Sequence, residues 1–297
     1  MQNILVTGAT SYIGKHLIKK LLKSGQYNVT AIAREGSNLD IIGHKQEYKI
    51  HYYEASYQSI ESLFQTTSFD CVIHLAAHSG YNHDSSEISL MIDSNIKLGT
   101  FILEAMRQYH CPYFINTSTY WQHYKDHNYQ PICLYAATKK AFEDIIEYYC
   151  MDGSIKAISL KLYDVYGYED HRDKLLNILI KQKNDDHIFN LTKGEQKLCM
   201  VFIDDVIDAY LEALKLVQED SVAHSVYEVF GEEKFSLKEI VKILEERLNK
   251  KFKINWGQKS YYKFQIMDPQ TKNKLKNWQA KVSLKEGIEM IKKVYDK

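Results

Sequence analysis

Short apolar runs alternate with amphipathic segments through the first half of the chain, and this alternation predicts the fold. The apolar runs predict strands at 4–6, 29–33, 50–53, 71–75, 113–116 and 157–162. The amphipathic stretches between them predict helices at 15–23, 60–64, 88–109 and 136–149. Strand–helix alternation is typical of a parallel sheet with helices on both faces. Such sheets bind ligands beyond the carboxyl ends of their strands.

The alternation weakens after Gly167, where short apolar and polar stretches are mixed. Two amphipathic helices stand out beyond it, at 237–248 and 284–295. We therefore predict an α/β protein: a Rossmann-type doubly wound parallel sheet with a smaller C-terminal substrate-binding cap. The predicted division assigns 1–166 to a nucleotide-binding domain, with 200–222 returning to it, and 167–199 and 223–297 to the cap.

A glycine-containing turn follows the first predicted strand. Residues 7–14 read Thr-Gly-Ala-Thr-Ser-Tyr-Ile-Gly and lead directly into the first helix. A turn in this context presents backbone N–H groups and the positive end of a helix to a phosphate. The usual middle glycine, which lets the backbone approach a pyrophosphate, is Ser11 here. The context favours a dinucleotide site over an ordinary strand–helix turn.

Composition narrows the classes of protein to which the chain can belong. Its 297 residues carry 38 basic and 38 acidic side chains, and this balance argues against a general nucleic-acid binder. Five scattered cysteines are typical of reduced thiols in the cytoplasm. We find no apolar run long enough to cross a bilayer and no metal-binding spacing among the 12 histidines. We expect a cytoplasmic protein without a metal, a nucleic-acid partner or a membrane association.

Tyr135 and Lys139 are four residues apart in a predicted helix, so their side chains share a face. That face is otherwise apolar, and lysines are seldom buried without a partner. A nearby ammonium lowers the pKa of a phenol from about 10, which predicts proton exchange near neutral pH. Residues 116–119, Asn-Thr-Ser-Thr, follow the fifth strand. Their hydroxyls either polarise a substrate carbonyl or cap their own backbone, and the pattern leaves both open.

Further motifs follow the glycine turn in a fixed order. They are His-Leu-Ala-Ala at 74–77, Asn-Ile-Lys-Leu-Gly-Thr at 95–100, Thr-Ser-Thr at 117–119, the Tyr135–Lys139 pair, Val-Tyr-Gly at 165–167 and Asp-Asp-Val at 204–206. This series resembles that of the extended short-chain dehydrogenases/reductases, the NAD-dependent epimerase/dehydratase family. The resemblance implies that Thr119, Tyr135 and Lys139 are catalytic.

The same resemblance implies the ligand contacts. For the cofactor they are Gly8, Thr10, Ser11, Tyr12, Ile13, Gly14, Arg34, Glu54, Leu75, Ala76, Ala77, Asn95 and Lys139. For the substrate, a nucleotide sugar, they are His78, Ser118, Asp164, Arg172 and Lys174. The family is often dimeric, so the resemblance also implies a homodimer formed through the helices at 88–109 and 136–149.

Two positions bear on the reaction. Arg34 ends the second strand, where relatives that use NAD usually carry an acidic residue for the ribose hydroxyls. An arginine suits the 2′-phosphate of NADPH, so we expect NADPH, with NAD as the alternative. Tyr120 and Trp121 follow Thr119, where related 4,6-dehydratases carry an Asp-Glu pair. Dehydration is therefore disfavoured.

Within the family, the chain is most similar to 4-keto-hexose reductases of the CDP-abequose synthase type. The resemblance rests on the short stretch between Thr119 and Tyr135 and on the sequences at 194–196, 202–206 and 209–210. It implies NADPH-dependent reduction of the 4-keto group of a nucleotide-activated 4-keto-6-deoxy sugar, in surface-polysaccharide sugar biosynthesis. One alternative is a nucleotide-sugar 4-epimerase with tightly bound NAD. Another is a non-enzymatic NAD(P)-binding sensor or an RNA-associated protein.

The chain departs from the family pattern around the substrate. Residues 198–200 are Leu-Cys-Met where relatives have Arg-Asp-Phe, whose arginine grips the substrate diphosphate. Asp164 stands where an asparagine is usual. Another cation must then hold a diphosphate, and Arg172 is the first candidate, with Lys174, Lys193 and Lys197 weaker ones. An equally simple interpretation of Arg172 is a solvated side chain in the polar run 169–174.

Overall fold

The computed structural model describes residues 1–43, 47–182, 187–219 and 221–295. Within these ranges the strands are β1 Gln2–Thr7, β2 Tyr27–Ala33, β3 Lys49–Tyr52, β4 Cys71–His74, β5 Tyr113–Thr119, β6 Lys156–Leu162, β7 Asp164–Tyr166, β8 Ile188–Leu191, β9 Lys197–Leu198, β10 Met200–Phe202, β11 His224–Val229, β12 Phe235–Ser236 and β13 Lys253–Trp256. The α-helices are α1 Tyr12–Ser24, α2 Tyr57–Thr66, α3 Glu87–Ile92, α4 Leu98–Gln108, α5 Leu134–Cys150, α6 Leu175–Lys181, α7 Ile203–Glu219, α8 Leu237–Leu248 and α9 Leu284–Tyr295. A π-helical turn, Asp93–Lys97, joins α3 to α4, and a 3₁₀ turn, Tyr120–Gln122, follows β5.

Seven parallel strands form the central sheet, in the order β11-β6-β5-β4-β1-β2-β3. The chain builds from β1 outward to β3 and then returns to the other side of β1 with β4. This reversal creates a crevice at the carboxyl ends of β1 and β4, where doubly wound folds bind their ligands. The predicted Rossmann-type sheet is confirmed.

Helices cover both faces of the sheet because each buries an apolar stripe against it. On one face, Leu17 of α1 and Val206 of α7 join the apolar side chains of the sheet. On the other face, Phe64 of α2, Ile102 of α4 and Phe142 of α5 form a second core. The strand ends between these layers are therefore held on both sides.

Three elements differ from the sequence expectation. The strand predicted at 113–116 continues as β5 to Thr119, because its last residues pair with β6 up to Leu162. The helix predicted at 88–109 is interrupted by the π turn, which brings Asn95 into the core. Strand β11 pairs with β6 along its whole length, although it lies inside the segment predicted to belong to the cap.

The other C-terminal elements assemble beside the sheet. Strand β8 pairs with β13, β9 with β12, and β10 with β7. Ile240 and Leu244 of α8 and Ile288 of α9 belong to the same apolar core as α1 and α7. The division of the chain into two domains remains a prediction. Residues 44–46, 183–186, 220 and 296–297 of that division lie outside the described residues.

Candidate active site

The turn between β1 and α1 depends on two glycines. Gly8 has a φ of +65°, and a Cβ there would lie 2.8 Å from the backbone nitrogen of Ala76. A Cβ on Gly14 would lie 2.2 Å from the carbonyl oxygen of Gly8. Ser11 is the N-cap of α1, and its Oγ accepts a hydrogen bond from the Gly14 N–H at 3.0 Å. Serine therefore fits where the middle glycine is usual, because it caps the helix.

A groove of about 510 Å³ adjoins this turn at the carboxyl ends of β1, β2 and β4, and we call it the nucleotide groove. Its walls include seven residues predicted to bind the cofactor: Gly8, Thr10, Ser11, Arg34, Leu75, Ala76 and Ala77. Lys97 also lines the groove, and its Nζ pairs with Asp93 at 3.2 Å. The glycine turn, the helix start and two cations suit the phosphates of a dinucleotide.

Glu54 was predicted to contact the cofactor, but its side chain is exposed. Its neighbours Tyr53 and Ala55 line the nucleotide groove. Both follow β3, and Glu54 lies between them in the chain, so its contact with the cofactor stays a prediction.

Asn95 and His78 also differ from their predicted places. Asn95 is fully buried, and its side chain accepts from the His78 N–H at 2.7 Å. Its amide donates to the His78 carbonyl at 3.0 Å and to Thr138 Oγ1 at 2.9 Å. Asn95 thus holds the backbone of His78, a residue of the groove wall, from within the core. His78, predicted to bind substrate, lines the nucleotide groove, and its ring pairs with Glu87 at 3.0 Å.

A buried Thr7–His74 pair supports the floor between β1 and β4, and neither residue was predicted as part of the site. Thr7 Oγ1 accepts from the N–H groups of Leu75 and Ala76, each at 3.1 Å. The same oxygen also lies 3.0 Å from His74 Nδ1, and the two groups are hydrogen-bonded. Burial and the nearby Lys139 lower the pKa of His74 to about 3, so the ring is neutral.

A second compartment, the catalytic cleft, brings the predicted catalytic residues together. Thr119 at the end of β5 and Tyr135 and Lys139 on α5 line this cleft of about 540 Å³. Tyr12 and Ile13, predicted to contact the cofactor, line it too. Three residues line both the cleft and the nucleotide groove: Ser11, Leu75 and Ala77. A ligand in the groove can therefore extend to the side chains predicted to be catalytic.

Burial governs the protonation of the Tyr135–Lys139 pair. It raises the pKa of the Tyr135 phenol, and the Cys133 thiol adds to that shift. Burial lowers the pKa of Lys139 to about 8, and the Glu143 carboxylate opposes this shift. An effect of Lys139 alone would lower the pKa of the phenol, as expected from the sequence, but burial raises it, because desolvation penalises the phenolate. A protonated phenol is the form that donates a proton to a carbonyl oxygen.

Thr119 and Ser118 have different partners although they are adjacent. Thr119 Oγ1 accepts from the Trp121 N–H at 3.2 Å and caps the 3₁₀ turn, which leaves its own proton for a ligand in the cleft. Ser118 is 2% exposed, and its Oγ donates to the Glu143 carboxylate. Ser118 also accepts from Gln122 Nε2 at 3.1 Å. Its hydroxyl thus binds the protein's own groups, although it was predicted to contact substrate.

A third compartment, the cap cavity, has a volume of about 350 Å³ and opens from the cleft. Five residues line both spaces: Tyr120, Trp121, Asp164, Val165 and Lys174. Apolar side chains from α6, β10 and α8 form much of the remaining wall: Leu175, Leu176, Leu179, Met200, Leu237, Ile240 and Val241. Leu198, which stands where relatives carry the diphosphate-binding arginine, lies on the same wall.

Arg172 lines the catalytic cleft, but its guanidinium is already paired. Its Nε and Nη2 each donate at 2.7 Å to the carboxylate of Asp170, which is 1% exposed. The guanidinium also lies over the Tyr12 ring, 4.4 Å from its centroid. Arg172 is therefore neither a freely solvated side chain nor an unengaged cation.

Lys174 and Asp164 lie where the cleft meets the cap cavity. Lys174 Nζ donates to the Val165 carbonyl at 3.1 Å, and burial lowers its pKa to about 8. Asp164 accepts from the Tyr120 hydroxyl at 2.9 Å, and burial raises the pKa of its carboxyl. Both predicted substrate residues thus face the path between the compartments.

Aromatic side chains from separate loops line the cap cavity, and they were not predicted as site residues. Tyr81 stacks on Tyr262 with ring centroids 4.0 Å apart, and Trp121 packs edge-on against Tyr135 at 6.1 Å. These residues are far apart in the chain and share no periodic pattern. The signal that the sequence does carry is its tyrosine content, 23 of 297 residues.

The described ranges lack two classes of feature. We find no group of three or more histidine, cysteine, aspartate or glutamate side chains there that could hold a metal ion. In the same ranges, we find no helix that is both long and apolar enough to cross a membrane.

Known proteins resemble this chain along nearly its whole length. The family model described as NAD dependent epimerase/dehydratase family matches residues 4–229. CDP-abequose synthase of Yersinia pseudotuberculosis is 32% identical, covering 96% of this chain and 97% of that protein. CDP-abequose synthase of Salmonella muenchen is 29% identical, covering 97% and 96%. The crystal structure of UDP-glucuronic acid 4-epimerase from Bacillus cereus with UDP-glucuronic acid and NAD has a TM-score of 0.85 at 24% identity, covering 99% and 100%.

Proposed function

This chain belongs to the NAD dependent epimerase/dehydratase family, and we propose that it uses NADPH to reduce the 4-keto group of a nucleotide-linked 4-keto-6-deoxy sugar. The observation that carries the proposal is the continuity of the nucleotide groove, the catalytic cleft and the cap cavity, which share walls in pairs. Thr119, Tyr135 and Lys139 line the middle compartment. Two ligands entering from opposite ends would meet beside these three side chains.

The nucleotide groove supports the choice of cofactor. Arg34 lines it at the end of β2, and Lys97 provides a second cation. The Gly8 turn leaves no room for a Cβ against Ala76, as expected of a backbone that packs closely under a dinucleotide. Such a cofactor supplies the hydride when it is bound. A 2′-phosphate would match the Arg34 guanidinium, which supports NADPH over NAD.

The cap cavity supports a sugar nucleotide as the other ligand. Its aromatic side chains offer flat apolar surfaces for a sugar ring or a base. Lys174 lies on its wall next to the cleft and makes one hydrogen bond to a carbonyl, whereas the Arg172 fork is held by Asp170. We therefore assign the substrate phosphate to Lys174 in preference to Arg172.

The catalytic residues have complementary tasks in the proposed reduction. The Tyr135 phenol, kept protonated by burial, gives its proton to the keto oxygen. Thr119 donates a hydrogen bond to the same oxygen with its hydroxyl proton, while its Oγ1 accepts from the Trp121 N–H. The Lys139 ammonium stabilises the phenolate that forms when Tyr135 has given up its proton.

The test is a panel of 4-keto-6-deoxy sugar nucleotides assayed for loss of NADPH absorbance. We expect turnover with NADPH and much slower turnover with NADH. Oxidation of NADPH that does not depend on the sugar nucleotide, or no oxidation with any member, would contradict the proposal.

A nucleotide-sugar 4-epimerase is the second candidate, because the Bacillus cereus epimerase has the same fold and was solved with NAD. An epimerase would be purified with NAD bound and would interconvert sugar epimers without added cofactor. The reductase proposal requires the reverse: a dissociable cofactor consumed in proportion to product.

We further propose a homodimer in the cytoplasm, formed through α4 and α5. The end of α5 supports this assembly, because Tyr148 and Met151 are 68% and 80% exposed there. Sedimentation velocity should give twice the chain mass. Tyr148→Glu should shift the protein toward the monomer, and a monomeric parent protein would refute the assembly.

A further inference from the structure

A buried carboxylate on α5 has no part in the reaction described above. Glu143 is 3% exposed, and buried charges are rare unless they are paired and hydrogen-bonded. Its Oε1 accepts from Ser118 Oγ and from Gln122 Nε2, the latter at 3.1 Å. Ser118 and Gln122 are themselves 2% and 0% exposed. The three side chains form a hydrogen-bonded cluster at the side of the catalytic cleft, which Ser118 also lines.

The cluster joins the two elements that carry the catalytic side chains. Ser118 lies at the end of β5, and Gln122 lies in the 3₁₀ turn that follows. Thr119 is between them, so Glu143 binds the chain on both sides of Thr119 to the helix that carries Tyr135 and Lys139. This carboxylate therefore adds polar contacts between the strand and the helix to the apolar packing of Phe114 on Phe142.

Glu143 also acts on Lys139 through its charge. The two residues are one helical turn apart on α5, and Lys139 is 1% exposed. Burial disfavours the ammonium and lowers its pKa to about 8, while Glu143 favours the ammonium and opposes the shift. The other titratable groups that face Lys139 are Tyr135 on the same helix and His74 on β4.

Glu143 itself has mainly basic neighbours. They are Lys139 and Lys140 on α5, Lys161 on β6, His224 on β11, and His123 with Tyr129 in the loop between β5 and α5. Lys161 donates to the His123 ring at 2.9 Å, and the His224 ring contacts Glu147 at 3.0 Å. Lys139 differs from the other two lysines because it lines the catalytic cleft.

We propose that Glu143 is a positioning residue, which keeps the Lys139 ammonium charged and holds Thr119 in place against α5. This inference rests on the proposed reductase function. Glu143 touches neither ligand and acts only through Lys139, Ser118 and Gln122.

The first experiment is the pH dependence of turnover in Glu143→Gln. Gln keeps the size of the side chain and removes its charge. The alkaline limb of the profile, where Lys139 loses its proton, should move to lower pH by about one unit or more. The matched control is Glu147→Gln, on the same helix one turn further, where the carboxylate is 68% exposed. The pH profile of Glu147→Gln should match that of the parent protein. An alkaline limb that does not move in Glu143→Gln would overturn the proposal.

Ser118→Ala separates the two parts of the role. This variant removes one hydrogen bond of the cluster and keeps the carboxylate. It should lower kcat without moving the alkaline limb. If Ser118→Ala moves the alkaline limb as far as Glu143→Gln does, the charge of Glu143 is not what keeps Lys139 protonated. That result would refute the electrostatic part of the proposal.

A second readout does not need catalysis. Between the folded pKa of Lys139, about 8, and its ordinary value near 10.5, the unfolded chain binds more protons. The free energy of unfolding should therefore rise with pH through this window. For each protein, the free energy of unfolding minus that of its Lys139→Met variant at the same pH isolates the rise that comes from Lys139. In the Glu143→Gln background the rise should begin at lower pH, and the same onset in both backgrounds would contradict the proposal.

The two readouts distinguish failure of this inference from failure of the proposed function. An earlier onset in Glu143→Gln without any NADPH-dependent reduction would sustain the Glu143–Lys139 coupling and remove the reductase. The opposite result is normal reduction by Glu143→Gln with neither the alkaline limb nor the onset of the rise in unfolding free energy displaced. It would support the reductase function and contradict the role of Glu143.

Discussion

The nucleotide groove and the cap cavity are built in opposite ways. Backbone forms much of the groove, from the Gly8 turn to residues 75–77, and short loops at adjacent strand ends bring these segments together. Side chains form the cavity, and they converge from loops and helices spread between Tyr81 and Ile266. A backbone site needs particular residues in one short stretch, whereas a side-chain site needs only compatible surfaces.

The lysines of the two regions also differ in how far they are exposed to solvent. Lys97 in the groove is 43% exposed and paired with Asp93, so its charge is solvated. Lys174 at the cavity mouth is desolvated, and its pKa falls to about 8. A conserved ligand part such as a dinucleotide can be held by the first kind of site. The second kind suits the part of a substrate that varies among relatives.

The largest expected effect comes from substituting Tyr135 in the catalytic cleft, which joins the two regions. Tyr135→Phe removes the proton donor and keeps the ring that packs against Trp121. Turnover should fall by about a hundredfold or more, because general acid catalysis contributes about 10²–10⁴. Fluorescence titration of NADPH should give an unchanged Kd. Near-normal turnover would show that the proton comes from elsewhere.

The next effect tests whether the groove depends on backbone approach. In Gly8→Ala the added Cβ would meet the Ala76 nitrogen, and such overpacking costs about 1–3 kcal/mol. Thermal unfolding and NADPH affinity should both be impaired. Gly25→Ala is the control, because Gly25 has a similar φ of +67° and open space around it. If the two variants lose the same stability and neither loses affinity, close approach at Gly8 is unimportant.

A smaller effect concerns the choice of cofactor. Arg34→Ala should weaken NADPH binding by roughly tenfold to a hundredfold, since a charge-assisted hydrogen bond contributes about 1.5–3 kcal/mol. NADH binding should hardly change. Isothermal titration with both cofactors checks this, and equal affinity of the parent protein for the two would remove Arg34 from cofactor selection.

The smallest effect concerns the cap cavity. Lys174→Met should raise the KM of a sugar nucleotide by about tenfold and leave the NADPH Kd unchanged. The parent KM should rise as pH increases through about 8, because Lys174 then loses its charge. Lys174→Arg stays charged and should remove that rise. A pH-independent parent KM would separate Lys174 from the phosphate.

Arg172→Ala sharpens the same comparison. It leaves the buried Asp170 carboxylate without its partner, so its main effect should be on stability. A large rise in KM with unchanged stability would instead support Arg172 as the phosphate-binding cation.

The contrast between the two regions explains what could be predicted from the sequence. Strand–helix alternation and the 7–14 turn led to the sheet and the groove, because local patterns determine both. The spacing of Tyr135 and Lys139 predicted that they share a helix face, and both lie on α5 and line the catalytic cleft. Tyr262 and Ile266 were missed because long-range folding alone brings them to the cavity. The pKa of Tyr135 was expected to be lowered, whereas burial raises it. The spacing of two residues in the sequence does not indicate how deeply they are buried.

The central claim is net hydride transfer to a keto sugar nucleotide with Tyr135 as proton donor. The most direct measurement uses NADPH deuterated at the transferable position of the nicotinamide, with mass spectrometry of the sugar product. The account predicts one deuterium per product molecule, on the new alcohol carbon, with an equal amount of oxidised cofactor. Product formed without deuterium and without net oxidation of the cofactor would contradict it and identify an epimerase.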